Sequence, residues 1–126
     1  MTQTWSKGWK ASVQPKKQRK YIYNAPLHVV RNFFSVLLSK DLRTKYGKRN
    51  LVVRKGDRIK VLRGQFRGKS GKVLNVSYVR RKLVLEGVDT IKKDGSKIPY
   101  PVHPSNLMIT ELNLEDARRK KALDRK

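Results

Sequence analysis

Between Lys55 and Val76 four glycines, Gly56, Gly64, Gly68 and Gly71, interrupt a run in which Ile59, Val61, Val73 and Val76 recur among polar neighbours. Apolar residues at period two fit half-buried strands, whereas a helix needs a period near 3.6. Glycines at this density fit tight turns, positive φ or close approach of a second backbone. The stretch therefore reads as two strands joined by a glycine-rich loop, with Ile59, Val61, Val73, Leu74 and Val76 as the inward-facing candidates. The pattern continues to about Leu112. Leu74, Val76 and Tyr78 alternate with Asn75 and Ser77, and the pairs Leu83/Leu85 and Leu107/Ile109 repeat it. Asp94-Gly95 marks a further hairpin, while Pro99, Pro101 and Pro104 forbid a central strand, so that segment is expected to run extended along an edge. At least four antiparallel strands over 51–112 make the chain mainly β.

The flanks follow other rules. Residues 26–50 hold a short apolar segment and then Ser39-Lys40-Asp41-Leu42-Arg43-Thr44-Lys45-Tyr46-Gly47, which has an N-cap, an acid in the first turn, bases near the end and a glycine stop. Leu38, Leu42 and Tyr46, four residues apart, form the face that packs on the β unit. In residues 113–126, Asn113 is the expected cap and Glu115-Asp116 sit in the first turn. Behind them runs a basic helix or tail, including Arg118-Arg119-Lys120-Lys121, with a thin apolar stripe, expected on RNA or in solvent and not in a core. Residues 1–25 read as a basic extended arm, because Pro15-Lys16-Lys17-Gln18-Arg19-Lys20 has no apolar period and no acid, and should order only on a partner. The plain alternative is a solvated tail.

Lys and Arg number 32 against 9 Asp and Glu, a net charge of +23, which points to a polyanionic partner. The first 50 residues are nearly pure cation, with 12 basic residues and one acid. A 37% apolar content supports one small core and no large enclosed pocket. Cysteine is absent, which removes disulfides, thiolate metal sites and a thiol nucleophile together. The most apolar run, Phe33 to Leu38, is far too short to span a bilayer, and the first ten residues lack an apolar core of signal-peptide length, so neither membrane insertion nor secretion is expected. His28 and His103 stand alone, so no metal site is predicted. Gly64-Gln65-Phe66-Arg67-Gly68-Lys69-Ser70 is one residue short of a phosphate-binding P-loop and leads into a strand, where that motif opens a helix. No catalytic constellation and no cofactor is expected.

Lys55 to Val76 resembles the KOW motif, the strand–loop–strand unit of small SH3-like barrels. Its loop, Arg63 to Lys72, presents Arg63, Arg67, Lys69 and Lys72, with Lys60 entering it, around glycine amides that a phosphate can approach closely. Ser39 to Gly47 ahead of it and Val102-His103-Pro104-Ser105-Asn106-Leu107-Met108-Ile109-Thr110-Glu111-Leu112 behind it are similar to the flanks of one family. That family is the large-subunit ribosomal proteins numbered 24 in bacteria and archaea and 26 in eukaryotes, in its archaeal and eukaryotic branch. The resemblance spans roughly 25–115.

It implies a small SH3-like barrel with a basic N-terminal arm and short flanking helices, acting without catalysis as a structural constituent of the cytoplasmic large ribosomal subunit. It further implies binding to large-subunit rRNA near the 5′ domain, early assembly, neighbouring ribosomal proteins as partners, and a place near the polypeptide exit tunnel, where nascent-chain factors are additional candidates. Carried over by position, Arg63, Gly64, Arg67, Gly68, Lys69 and Lys72, with Lys55 and Arg58 at the base of the loop, are the RNA contacts, and Arg80, Arg81 and Lys82 are a further cluster. The residues themselves add Lys7, Lys10, Lys16, Lys17, Arg19 and Lys20 of the arm, Arg43, Lys45, Lys48 and Arg49 around the short helix, and His103. Trp5, Trp9, Tyr21 and Tyr23 have no core within reach in an extended arm and suit base stacking. Phe33, Phe34, Tyr46 and Tyr78 read as core or core edge, and Phe66 as a contact at the loop tip. The competing reading is a transcription elongation factor with a KOW domain, disfavoured because the arm has no room for the separate folded domain such factors carry upstream.

Overall fold

The structure, a computed structural model, describes residues 5, 6, 8, 9 and 12–125. Its strands are β1 (Ser35–Leu38), β2 (Asn50–Val52), β3 (Arg58–Val61), β4 (Ser70–Ser77), β5 (Lys82–Leu85), β6 (Asp89–Ile91), β7 (Lys97–Pro99) and β8 (Leu107–Glu111). Its helices are α1 (Pro15–Asn24), α2 (Leu27–Val30), α3 (Lys40–Tyr46) and α4 (Ala117–Asp124), with 3-10 turns at Arg31–Phe34 and Pro104–Asn106. Six strands form one sheet in the order β2-β1-β8-β3-β4-β5, and β6 and β7 make a separate hairpin. Neighbours in the sheet are antiparallel except β1 and β8, which run parallel.

The period-two reading holds in β3, β5 and β8, where Ile59 and Val61, Leu83 and Leu85, and Leu107 and Ile109 are buried and their neighbours are not. It slips in β4. Val73 pairs with Leu85 and Asn75 with Val84, which leaves Leu74 as the extra residue of a β-bulge. One extra residue reverses the alternation. Val73 and Val76 therefore stay on the core side while Leu74, expected to face inward, is 52% exposed. Of the four clustered glycines, Gly71 answers to crowding: a Cβ there would lie 2.1 Å from the carbonyl oxygen of Glu86, a backbone atom with nowhere to go.

The mainly-β expectation is met, but the ladder does not close into a full barrel. Its nearest approach to closure is a single bridge between Leu83 and Val102, which exchange two backbone hydrogen bonds of 2.8 Å. Pro101 and Pro104 flank Val102 and have no N–H with which to extend the pairing. The proline segment thus runs along an edge, as its composition requires. The Asp94-Gly95 turn joins β6 to β7, with Gly95 at φ 85 and the Asp94 carboxylate accepting from the Ser96 hydroxyl and amide. α3 begins and ends where its caps predict: Ser39 accepts from the Leu42 amide and Gly47 is left-handed at φ 64.

Two flanking elements differ from expectation. Residues Pro15–Asn24 are helical and not an extended arm, although no side chain of α1 is buried. Proline at the first helical position presets φ, and Lys, Gln and Arg are good helix formers, so local propensity suffices to set the conformation. Trp5 and Trp9 do have an apolar partner: both rings lie 5.0 Å from that of Tyr21 on α1. At the other end, α4 starts one turn later than the sequence predicts, capped by Asp116, which accepts from the Arg118 amide at 2.8 Å. α4 is also a core element, because Arg119 and Leu123 are buried. Arg119 stands in a run of four cations expected on RNA or in solvent, yet its guanidinium grips the fully buried carboxylate of Asp57 at 2.5 and 2.7 Å.

Candidate nucleic-acid interface

The loop between β3 and β4 is closed at its base by Gly68 donating to Val61 at 2.9 Å and Val61 donating to Lys69 at 2.8 Å. Gly64 and Gly68 take φ of 96 and 89, with nothing within 4 Å of where a Cβ would stand. Here glycine is demanded by backbone conformation, because L side chains rarely adopt those angles. The side chains of Arg63, Arg67, Lys69 and Lys72 are all exposed. Phe66 is not a free tip. Its ring packs 4.9 Å from that of Tyr100, and the Lys69 ammonium lies 5.2 Å from the ring centre. One aromatic pair thus moors a loop whose cations point to solvent. Sequence reasoning missed Tyr100; an aromatic set between two prolines was the available signal.

Several cationic groups that are distant in sequence meet at His103. On one side of it a shallow pocket of about 130 Å³ is lined by Arg63, Gly64, Phe66, Lys82 and Tyr100. On the other side an open groove of about 840 Å³ runs between α1 and the β4–β5 turn, lined by Arg19, Lys20, Arg80 and Arg81. Arg63 of the KOW loop, the 80–82 cluster and α1 therefore border one surface at His103. The His103 Nδ1 is 2.8 Å from the Ser105 hydroxyl and accepts from the Ser105 amide at 3.2 Å, which caps the Pro104–Asn106 turn and leaves the neutral ring's proton on Nε2. Burial first, then the charges of Lys82 and Arg81, hold its pKa below the usual 6.5. A folded-state value below the unfolded one means that the stability linked to this group is complete above pH 6.5 and declines as the pH falls through the folded-state pKa. The expected result in an NMR titration of the free chain is a His103 midpoint below 6.5; a midpoint at or above it would contradict this electrostatic account.

Residues 12–126 match the family model that describes the eukaryotic ribosomal proteins L26 and their archaeal L24 counterparts. The chain belongs to this ribosomal protein family. It is 49% identical over 115 residues to a protein named large ribosomal subunit protein uL24 from Methanosphaera stadtmanae, covering 91% of this chain and 98% of that one. It is 46% identical over 115 residues to a protein of the same name from Korarchaeum cryptofilum, covering 91% of this chain and 88% of that one. The family is one of structural ribosomal proteins and not of enzymes.

In this member of the ribosomal family the remaining candidate residues fall into other groups. Lys16 and Lys17 are exposed on α1 beside Arg19 and Lys20. Trp5 and Trp9 are engaged with Tyr21, so base stacking is not their only available partner; Lys7 and Lys10 lie outside the described residues. Arg43 donates through Nε to the Leu38 carbonyl at 2.8 Å, and Lys45 lies 5.3 Å from the centre of the Tyr46 ring. Lys48 donates to the Ala122 carbonyl, which ties the end of α3 to α4, and Arg49 is exposed. Arg58 lies across the strand pair from Lys72 and 3.5 Å from Glu111. Lys55 is exposed next to Arg54, whose guanidinium pairs with Asp116 and holds that carboxyl below its usual pKa range. The Lys48 and Arg54 contacts fasten α4 and its cap, the Arg58–Glu111 pair joins β3 to β8, and none of these residues lines the surface around His103.

Proposed function

We propose that the chain is a constituent of the cytoplasmic large ribosomal subunit that binds rRNA through the surface centred on His103. The observation that carries this reading is that Arg63 of the KOW loop, the 80–82 cluster and α1 border His103 together. Loops and a helix end placed this way grip phosphates and RNA shape; no single helix is set to read a groove, so base specificity is weak. The mechanism is fastening: the β unit docks, the cations neutralise phosphates of neighbouring RNA helices, and the basic ends follow grooves between them. The names of the relatives support the large subunit as the assembly. Contact with the 5′ domain, entry early in assembly and a position near the exit tunnel, with tunnel-exit factors as neighbours, belong to this proposal through the family resemblance.

Gradient sedimentation of cell extract at low and high salt, with this chain detected by immunoblot, tests the proposal. Co-migration with the large subunit at both salts is expected. Release at modest salt, or migration with RNA polymerase, would overturn it in favour of a loosely bound or elongation factor.

A further inference from the structure

The groove between α1 and the β4–β5 turn is built unlike the rest of the cationic surface. It is lined by Arg19, Lys20 and Tyr23 of α1, by Arg80 and Arg81 of the turn, and by Phe33. α1 splits its residues between two tasks by helical period. Lys17, Tyr21 and Asn24 line the crevice that holds Trp5 and Trp9; Arg19, Ile22 and Tyr23 turn to the groove; and Lys20 borders both. Tyr21 thus has aromatic partners, whereas Tyr23 is 85% exposed. In the turn Arg81 has φ 53, the only positive φ at a non-glycine among the described residues. Such a backbone conformation costs free energy in an arginine, and an outlier of that kind lining a groove points to a use for the side chain.

Duplex RNA offers phosphates to a cationic lining but has no use for exposed aromatic rings, since its bases are stacked inside. An unpaired nucleotide offers both a phosphate and a flat face, and sequence-tolerant recognition of unstacked bases rests on aromatic rings and arginine planes. We propose that this groove captures a single extrahelical RNA nucleotide, its base laid against Tyr23 and its phosphates held between Arg80/Arg81 and Arg19/Lys20. The groove's volume of about 840 Å³ admits a nucleotide, and the charge of its lining complements one. This inference deepens the rRNA-binding reading and rests on it.

The test compares the full chain's affinity for a duplex RNA carrying one bulged nucleotide with that for the same duplex without the bulge. Wild-type protein is expected to prefer the bulged duplex, and Tyr23→Ala to reduce that preference about tenfold with little change in affinity for the continuous duplex. Tyr23→Phe should retain the preference, because the ring and not the hydroxyl does the stacking. Arg81→Gly separates function from folding: it relieves the backbone, so thermal stability should hold or rise, while the preference for the bulge falls. Equal affinity of the wild type for both duplexes, or an equal loss on both in Tyr23→Ala, overturns the groove's role and leaves the RNA-binding reading standing. Absence of binding to either duplex overturns both. Binding of a synthetic poly-glutamate peptide that depends on Tyr23, without a bulge effect, overturns the nucleotide in favour of an acidic protein segment.

Discussion

Replacing Arg119 with alanine is expected to lower the unfolding free energy by about 3 kcal/mol, and replacing Asp57 with alanine by about 5 kcal/mol, both read from urea denaturation. The two side chains are 4% and 0% exposed, so neither charge has water to fall back on. The Asp57 carboxylate accepts four hydrogen bonds: the Arg54 and Asn113 amides at 2.9 Å each, and two guanidinium nitrogens at 2.5 and 2.7 Å. Arg119 also donates to the carbonyls of Asn113 and Val52, at 2.8 and 3.3 Å. Removing one partner of a buried pair leaves an uncompensated charge, which is why such losses far exceed those at the surface. The asymmetry has its own cause. Without Arg119, Asp57 still has its two amide donors; without Asp57, those two amides lose their acceptor and the buried guanidinium keeps only the neutral carbonyls of Asn113 and Val52. The double variant should cost less than the sum of the singles, because the second substitution removes a charge that the first left stranded. A larger loss for Arg119→Ala than for Asp57→Ala would contradict the asymmetry, and losses below about 1 kcal/mol for both would show that the pair does not hold α4 to the domain.

That pair also marks where the sequence stops being readable. Asp57 and Arg119 are 62 positions apart, and in a Lys/Arg run one buried arginine looks like its solvated neighbours. Nothing local separates them. The span Ser39–Gly47 is readable because caps, dipole complement and stop all lie within one short segment. Ile59, Val61, Leu83 and Leu85 are readable because alternation is set along a single strand. Leu74 is not, since the bulge that turns it outward depends on which residues β5 presents opposite it. The helix over Pro15–Asn24 escapes for another reason: with no buried face it has no apolar period, and only propensity and the Tyr21 cluster mark it. For the interface, each cation of the KOW loop and of the 80–82 cluster is visible in the sequence. The approach of Arg63, Arg80, Arg81 and Lys82 to His103 is not, because it depends on the proline edge folding back against β5 at Val102.

Charge reversal at Arg67, Lys69 and Lys72 is expected to weaken binding to large-subunit rRNA on the order of a hundredfold near physiological salt, with the unfolding transition unchanged. All three side chains are exposed, and none of them forms an ion pair among the described residues. The loop's shape depends on backbone hydrogen bonds at Val61 and Gly68 and on the tilted Phe66–Tyr100 contact, which the substitutions leave in place; only the Lys69 ammonium beside the Phe66 ring is lost. Each phosphate that is no longer neutralised should flatten the dependence of log affinity on log salt by about 0.9, so three should flatten it by roughly 3. Net charge alone would also weaken binding, and a matched variant separates the two causes. Arg118, Lys120 and Lys121 are exposed on α4, and reversing them changes the total charge by the same amount. If affinity follows the loop, the α4 variant keeps most of its binding and its salt slope. If both variants lose affinity and slope equally, rRNA is held by the diffuse field of the whole chain, and the glycine-rich loop has no special part in holding it.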